Sequence, residues 1–214
     1  MKNNNHKMQM DEKELDYYLE VIQALKNVSE NFLKNVDLKT IPSVEPDNVT
    51  LKPGMIIVLE GIFPPTFKEQ ASSDDKTIGH ACIVSEDTTK IIEAVEYGND
   101  GKGIVKESSY KSFFSKKGTY FWLWPDDDKK ATDGNGKKAA AYVKKQIGKT
   151  YNHNYFNKWD ETEFYCSALC WRSWYEQGIV VGTSYIIPYV APNDLISFRT
   201  RKLNQWTKSN PATY

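Results

Sequence analysis

Ile78-Gly-His-Ala-Cys-Ile-Val-Ser85 and Lys90-Ile-Ile-Glu-Ala-Val-Glu96 are two apolar, β-branched runs joined by the turn-like Glu86-Asp-Thr-Thr89. Runs of this length and composition, bounded by turn residues, read as strands. So short a connection pairs them as an antiparallel hairpin. Alternation along the first strand places His80, Cys82 and Val84 on one face. Cross-strand pairing can then bring Glu93 beside His80 on that face.

Working outward, Leu51-Lys-Pro-Gly-Met-Ile-Ile-Val-Leu-Glu60 is a turn followed by a buried strand, and Gly61 to Lys76 is a loop containing Pro64-Pro65. A short strand is expected near Ile104–Lys106, a brief helix over Ser108 to Phe114, and an aromatic strand over Thr119-Tyr-Phe-Trp-Leu-Trp124. Asp126 to Gly136 reads as a charged, glycine-containing loop. Lys137 to Ile147 is a helix ending at Gly148, and Phe164 to Gln177 a helix closed by Gly178. Leu15, Tyr18, Leu19, Ile22, Leu25, Val28, Phe32 and Val36 fall at helical spacing, so 11–36 reads as an amphipathic helix capped by Asp11 with Glu14. The tail from Asn193 to Tyr214 has little pattern and is expected to wrap the surface. A helix, clustered strands and then helices make an α+β protein with an antiparallel sheet.

The chain of 214 residues suits a single domain: a disordered tail over 1–10, then one domain over 11–214 whose helix and connector occupy 11–47 and whose core occupies 50–185. Lys+Arg and Asp+Glu balance at 28 each, with no basic cluster interleaved with aromatics, which argues against a nucleic-acid partner. No apolar run is long enough to span a bilayer, and the N-terminus lacks the apolar core of a secretory signal. Three cysteines, an odd number, argue against a disulfide framework and for the cytoplasm.

Cys166 lies in Asp160-Glu-Thr-Glu-Phe-Tyr-Cys-Ser-Ala-Leu-Cys-Trp-Arg-Ser-Trp174. Capping of this helix by Asp160 or Thr162 would leave Cys166 within its first turns, where the helix dipole favours a thiolate. A buried core cysteine is the competing reading, and Cys170 on the same face is assigned to the core. His80 is either a core histidine or the general base for a thiol; His153, in the loop before Cys166, is its rival for that role. Glu93 is either an exposed strand carboxylate or the residue that orients the imidazole. A Cys₃His zinc site from His80, Cys82, Cys166 and Cys170 lacks the usual ligand spacing, so no metal is expected. No nucleotide loop, dinucleotide fingerprint or His-Glu-x-x-His motif occurs, and no cofactor is implied.

Leu51-Lys-Pro-Gly-Met-Ile-Ile-Val, Gly79-His-Ala-Cys-Ile-Val, Ile91-Ile-Glu-Ala, Gly148-Lys-Thr-Tyr-Asn and Phe164-Tyr-Cys-Ser-Ala-Leu occur in that order. Together they resemble the circularly permuted branch of the NlpC-type papain-like superfamily, the YiiX/YaeF-like proteins, over roughly Leu51 to Ile179. The resemblance implies an antiparallel sheet or half-barrel packed with helices, with the cysteine helix after the strands. It implies Cys166 as nucleophile, His80 as base and Glu93 as orienting residue, and it disfavours His153. It further implies the Cys166 N–H in an oxyanion hole, with Tyr151 lining the site; Tyr165, next to the nucleophile in sequence, is read as a second lining residue, with ordinary core as the alternative. Ala168 stands where relatives carry a glutamate after Cys-Ser. The implied activity is hydrolysis or acyl transfer at an amide or ester bond through a thioester, on a small peptide-like, cell-wall-derived substrate. A lipid acyl hydrolase or acyltransferase and a catalytically silent binding module are the alternatives. Neither oligomeric state nor the resolving acceptor is legible.

Overall fold

The structure, a computed structural model, describes residues 44–60, 79–96, 103–182, 186–197 and 199–208. The expected tail over 1–10, the helix over 11–36 and the loop from Gly61 to Lys76 lie outside the described residues. The hairpin that opened the sequence reading is present: β2 (His80–Val84) pairs antiparallel with β3 (Lys90–Val95). The other strands are β1 (Ile56–Leu59), β4 (Ile104–Ser109), β5 (Gly118–Pro125) and β6 (Thr200–Lys208). All pairings are antiparallel, in the spatial order β4-β3-β2-β1-β5-β6.

Sequence expectation and structure part at several elements. β4 continues to Ser109, and the expected brief helix is a 3-10 turn, Tyr110–Ser115. The segment 193–214 was expected to be unpatterned, yet Thr200–Lys208 forms an edge strand on β5. Its side chains alternate without an apolar face, because an edge strand can leave both faces partly wet. Helix α1 (Asp133–Lys144) begins four positions before Lys137, inside the stretch expected to be loop. Its cap is Thr132, whose hydroxyl accepts from the Asn135 N–H at 3.2 Å. Gly136 lies there for packing: a Cβ would meet Pro53 O at 2.5 Å and the Trp124 ring at 2.6 Å. Glycine in this helix thus records a close backbone approach.

Helix α2 (Cys166–Tyr175) is buried over nine of its ten residues, all but Tyr175. Trp171 and Trp174 are fully buried, and Trp174 Nε1 donates to Gly54 O at 2.9 Å. Trp124 meets Trp174 edge to face at 5.2 Å. These contacts lock α2 onto the turn before β1 and onto β5. The described strands and helices share one hydrophobic core, which fixes β2 and the start of α2 relative to each other.

Candidate active site

Cys166 is the first residue of α2, with Tyr165 at the N-cap position. The expected caps, Asp160 and Thr162, do not cap this helix. Asp160 Oδ1 instead accepts from Thr162 N at 2.8 Å, Thr162 Oγ1 at 2.7 Å and Glu163 N at 3.2 Å, closing a turn upstream. Leaving the cap without a side-chain acceptor leaves the first N–H groups of α2 unfilled by local residues. The Cys166 sulfur occupies that position, accepting from the Ser167 N–H and from the Ala81 N–H of β2. The surrounding frame is rigid. Ser167 Oγ donates to Val190 O at 2.6 Å, Val190 N donates to Tyr165 Oη at 3.1 Å, and Arg172 pairs with Glu161 and Glu176.

His80, the first residue of β2, faces two partners. Its Nε2 lies 2.8 Å from Glu93 Oε2, and it is hydrogen-bonded to Cys166. With Nε2 taken by Glu93, Nδ1 is the nitrogen available to the sulfur. The ring stacks on Phe113 at 5.5 Å between centroids, which fixes its plane. Glu93 is held on its other oxygen by Ser108 Oγ, which donates to Oε1 at 2.6 Å. Ser108 reaches it because Glu93 opposes Lys106 in the β3–β4 ladder, and Ser108 lies two residues along on the same face.

The electrostatics follow from this row of groups. Burial by itself would lower the His80 pKa, but the hydrogen bonds and charges of Cys166 and Glu93 outweigh it and raise it to about 9. Burial would push the Cys166 thiol up; His80 and the two backbone N–H groups more than offset that and pull it below its ordinary value. Glu93 is likewise held below the ordinary carboxylate range, burial being overcome by His80 and Ser108. These shifts favour the thiolate–imidazolium form of the pair over the neutral one, with the carboxylate holding the imidazole. Such a group can attack an acyl carbon and return a proton to a leaving group.

Cys82 and Cys170 are buried, and burial pushes both thiols well up, as suits core residues. His153 is 62% exposed, 3.6 Å from Glu96 and against the Tyr151 ring, with no hydrogen bond to Cys166. Tyr151 is buried near Cys166, its hydroxyl pushed up first by burial and then by the sulfur's charge. Tyr165, expected at the site wall, is fully buried, its hydroxyl accepting from the Val190 N–H and lying close enough to Cys166 to feel the sulfur's charge. Ser108, Phe113 and the Ala81 N–H were not singled out from the sequence. The β3–β4 register alone would have pointed to Ser108. Among the described residues no group of three or more His, Cys, Asp or Glu is placed to hold a metal ion.

Residues 51–196 match the family described as permuted papain-like amidase enzyme, YaeF/YiiX, C92 family. The chain belongs to that family. At that level it is a cysteine peptidase- or amidase-like enzyme, and the element order fits, since α2 follows the strands carrying His80 and Glu93. Its fold is similar to the crystal structure of metalloprotein YiiX from Escherichia coli O157:H7, at 17% identity and a TM-score of 0.49. The similarity covers 75% of this chain and 98% of that one. No curated relative matches the sequence. No helix among the described residues is long and apolar enough to cross a membrane.

Proposed function

We propose that the chain is a cysteine amide hydrolase with Cys166 as nucleophile, His80 as acid and base, and Glu93 orienting the imidazole. The observation that carries this reading is His80 bridging Glu93 and Cys166, with the sulfur accepting from the Ser167 N–H at the start of α2 and from the Ala81 N–H of β2. The Cys166 thiolate attacks the amide carbonyl, and a C–S bond forms. As the C–N bond breaks, His80 passes its proton to the departing nitrogen, leaving a thioester. Water, deprotonated by His80, hydrolyses the thioester and restores thiolate and imidazolium. The Cys166 N–H, in the first turn of a helix where backbone donors lack intrahelical partners, is suited to hold the oxyanion. Tyr151 lies close enough to the sulfur to feel its charge.

A small peptide-like substrate derived from cell-wall material suits the cleft beside His80, whose lining mixes Lys106, Lys116 and Ser108 with the apolar Leu59, Val95 and Phe113. A lipid acyl chain would need a long apolar channel there instead. Three free thiols suit a reducing compartment, so recycled wall peptides in the cytoplasm are the substrates to screen first.

The test is alkylation of Cys166 by iodoacetamide against pH, read by mass spectrometry in wild type, His80→Ala and His153→Ala. Labelling of Cys166 ahead of Cys82 and Cys170, with an apparent pKa below about 7 that only His80→Ala removes, is the expected result. A Cys166 that labels no faster than an ordinary thiol of pKa about 8.5 would instead leave a silent binding module.

A further inference from the structure

Cys166 and Cys170 stand four residues apart in α2, a spacing that puts both side chains on one face of the helix. We propose that Cys170 is a resolving thiol: a hydroperoxide oxidises Cys166 to a sulfenic acid, and Cys170 closes a reversible Cys166–Cys170 disulfide on it. The pair is then an oxidation switch on the site. The proposal rests on the reading of Cys166 as the reactive thiol and adds a modification to it.

Helix geometry supplies the reach. A rise of about 1.5 Å per residue, with about 3.6 residues per turn, puts the two Cα atoms about 6.2 Å apart. A disulfide spans roughly 4.4–6.8 Å between Cα atoms. The Cβ atoms, about 5–6 Å apart in a helix, must close to about 3.8 Å. That shift falls on the first turn of α2, which has no side-chain cap to hold it. Helix side chains lean toward the N-terminus, so Cys170 leans back over the turn that Cys166 begins. Its thiol accordingly feels Cys166, whose charge joins burial in pushing it up. Cys82 is a neighbour too, its thiol pushed up by burial and then by Cys170, Glu93 and Cys166. It pairs with Ile57 inside the sheet, however, and cannot approach α2 without breaking that ladder.

The chemistry balances with the peroxide as sole oxidant. Cys166 is 3% exposed and Cys170 0%, so the peroxide meets Cys166 first. The Cys166 thiolate gives two electrons to the terminal peroxide oxygen: S–O forms, O–O breaks, and the departing oxyanion takes a proton from His80. The sulfenic acid is neutral, which removes the Cys166 charge from Cys170. Cys170 then attacks the Cys166 sulfur: S–S forms, S–O breaks, and hydroxide leaves as water with the Cys170 proton. The new bond draws the sulfur off the Ala81 N–H and His80, so the site is off until a thiol reductant reopens it.

Trypsin releases Cys166 and Cys170 together in the peptide 159–172, and Cys82 in 77–90. The full chain is treated with hydrogen peroxide, alkylated with iodoacetamide after unfolding, and mapped by mass spectrometry in wild type, Cys170→Ala and Cys82→Ala. Thermal unfolding and native labelling of reduced Cys166 confirm that each variant keeps its fold and its reactive thiol. In wild type and Cys82→Ala the expected 159–172 peptide is lighter by two hydrogens, unlabelled, and restored by dithiothreitol. In Cys170→Ala, Cys166 gains two oxygens instead, and dithiothreitol does not restore its labelling. The wild-type map decides by itself if Cys170→Ala fails to fold. Cys166 untouched by peroxide, carried to the sulfinic acid with Cys170 still labelled, or bonded to Cys82 overturns the switch and leaves the cysteine hydrolase reading intact. Failure of iodoacetamide as well to label Cys166 in the folded, reduced protein overturns both.

Discussion

His80 carries opposite instructions from its surroundings: burial disfavours its charge, while Cys166 and Glu93 favour it. The partners win, and the sign of the pH dependence follows. A raised histidine pKa means the proton is held until the pH climbs through about 9, so His80 can serve as general acid throughout the neutral range. Acyl transfer on a good amide substrate should therefore fall as pH rises through about 9, and the acid limb should lie below the ordinary thiol range because the Cys166 pKa is lowered. A pH–rate profile of kcat/KM checks both limbs; an alkaline limb absent up to pH about 10.5 would show that His80 is not the acid. The link between His80 stability and pH has the same sign. Its contribution is present in full below the unfolded value of about 6.5 and is lost through about 9. Ser108 acts one step back, as a positioning residue for Glu93. Ser108→Ala should lower kcat about tenfold with KM nearly unchanged. It should also move the alkaline limb to lower pH, and Ser108→Thr, which keeps the hydroxyl, should restore both.

At the scale of elements, glycine in α1 separates packing from propensity. A Cβ on Gly134 meets nothing nearer than Thr132 Oγ1 at 3.7 Å, whereas one on Gly136 runs into the Pro53 carbonyl and Trp124. Gly134→Ala should therefore gain up to about 1 kcal/mol of helix propensity. Gly136→Ala makes the same gain but forces backbone apart, with a cost of about 1–3 kcal/mol and a lowered Tm. Thermal unfolding of the two variants checks the contrast; a Gly136→Ala protein as stable as Gly134→Ala would mean the Pro53–Gly54 turn can move aside. The same glycines explain why Asp133 to Gly136 read as loop from sequence; the packing partner accounts for Gly136, and nothing in the structure explains Gly134. β6 was illegible for a related reason: Thr-Arg-Lys-Leu-Asn-Gln-Trp-Thr-Lys has no apolar alternation, and its register is set by β5 rather than by its own pattern. The start of α2 was misplaced because Asp160 and Thr162 match a cap signature but satisfy each other in a turn. The elements whose own residues carry a burial pattern, β1, β2, β3 and β5, were legible, and with them His80 and Glu93 as neighbours. Ser108, Phe113 and the Ala81 N–H depend on register and on tertiary approach, which local patterns do not encode.

For the molecule as a whole, the position of Cys166 depends on a core shared between two kinds of element. The sulfur takes one backbone hydrogen bond from α2 and one from β2, besides the His80 contact, so it is assembled only while sheet and helix stay in register. Trp124, Trp171 and Trp174, with the Trp174 bond to Gly54 O, tie the two together. Cys82 in β2 and Cys170 in α2 are both fully buried and serve as reporters placed on either side of that contact. If the core is one cooperative unit, both thiols should become reactive at the same urea concentration, and at the midpoint of the tryptophan fluorescence change. Cys166 should label well below that concentration, since its reactivity belongs to the folded state. Pulsed alkylation with peptide mass mapping across a urea series measures all three at once. Exposure of Cys170 ahead of Cys82 would mean that α2 detaches before the sheet unfolds. The low thiol pKa of Cys166 would then vanish at the lower transition, because the helix start and the Ala81 N–H would no longer converge on the sulfur.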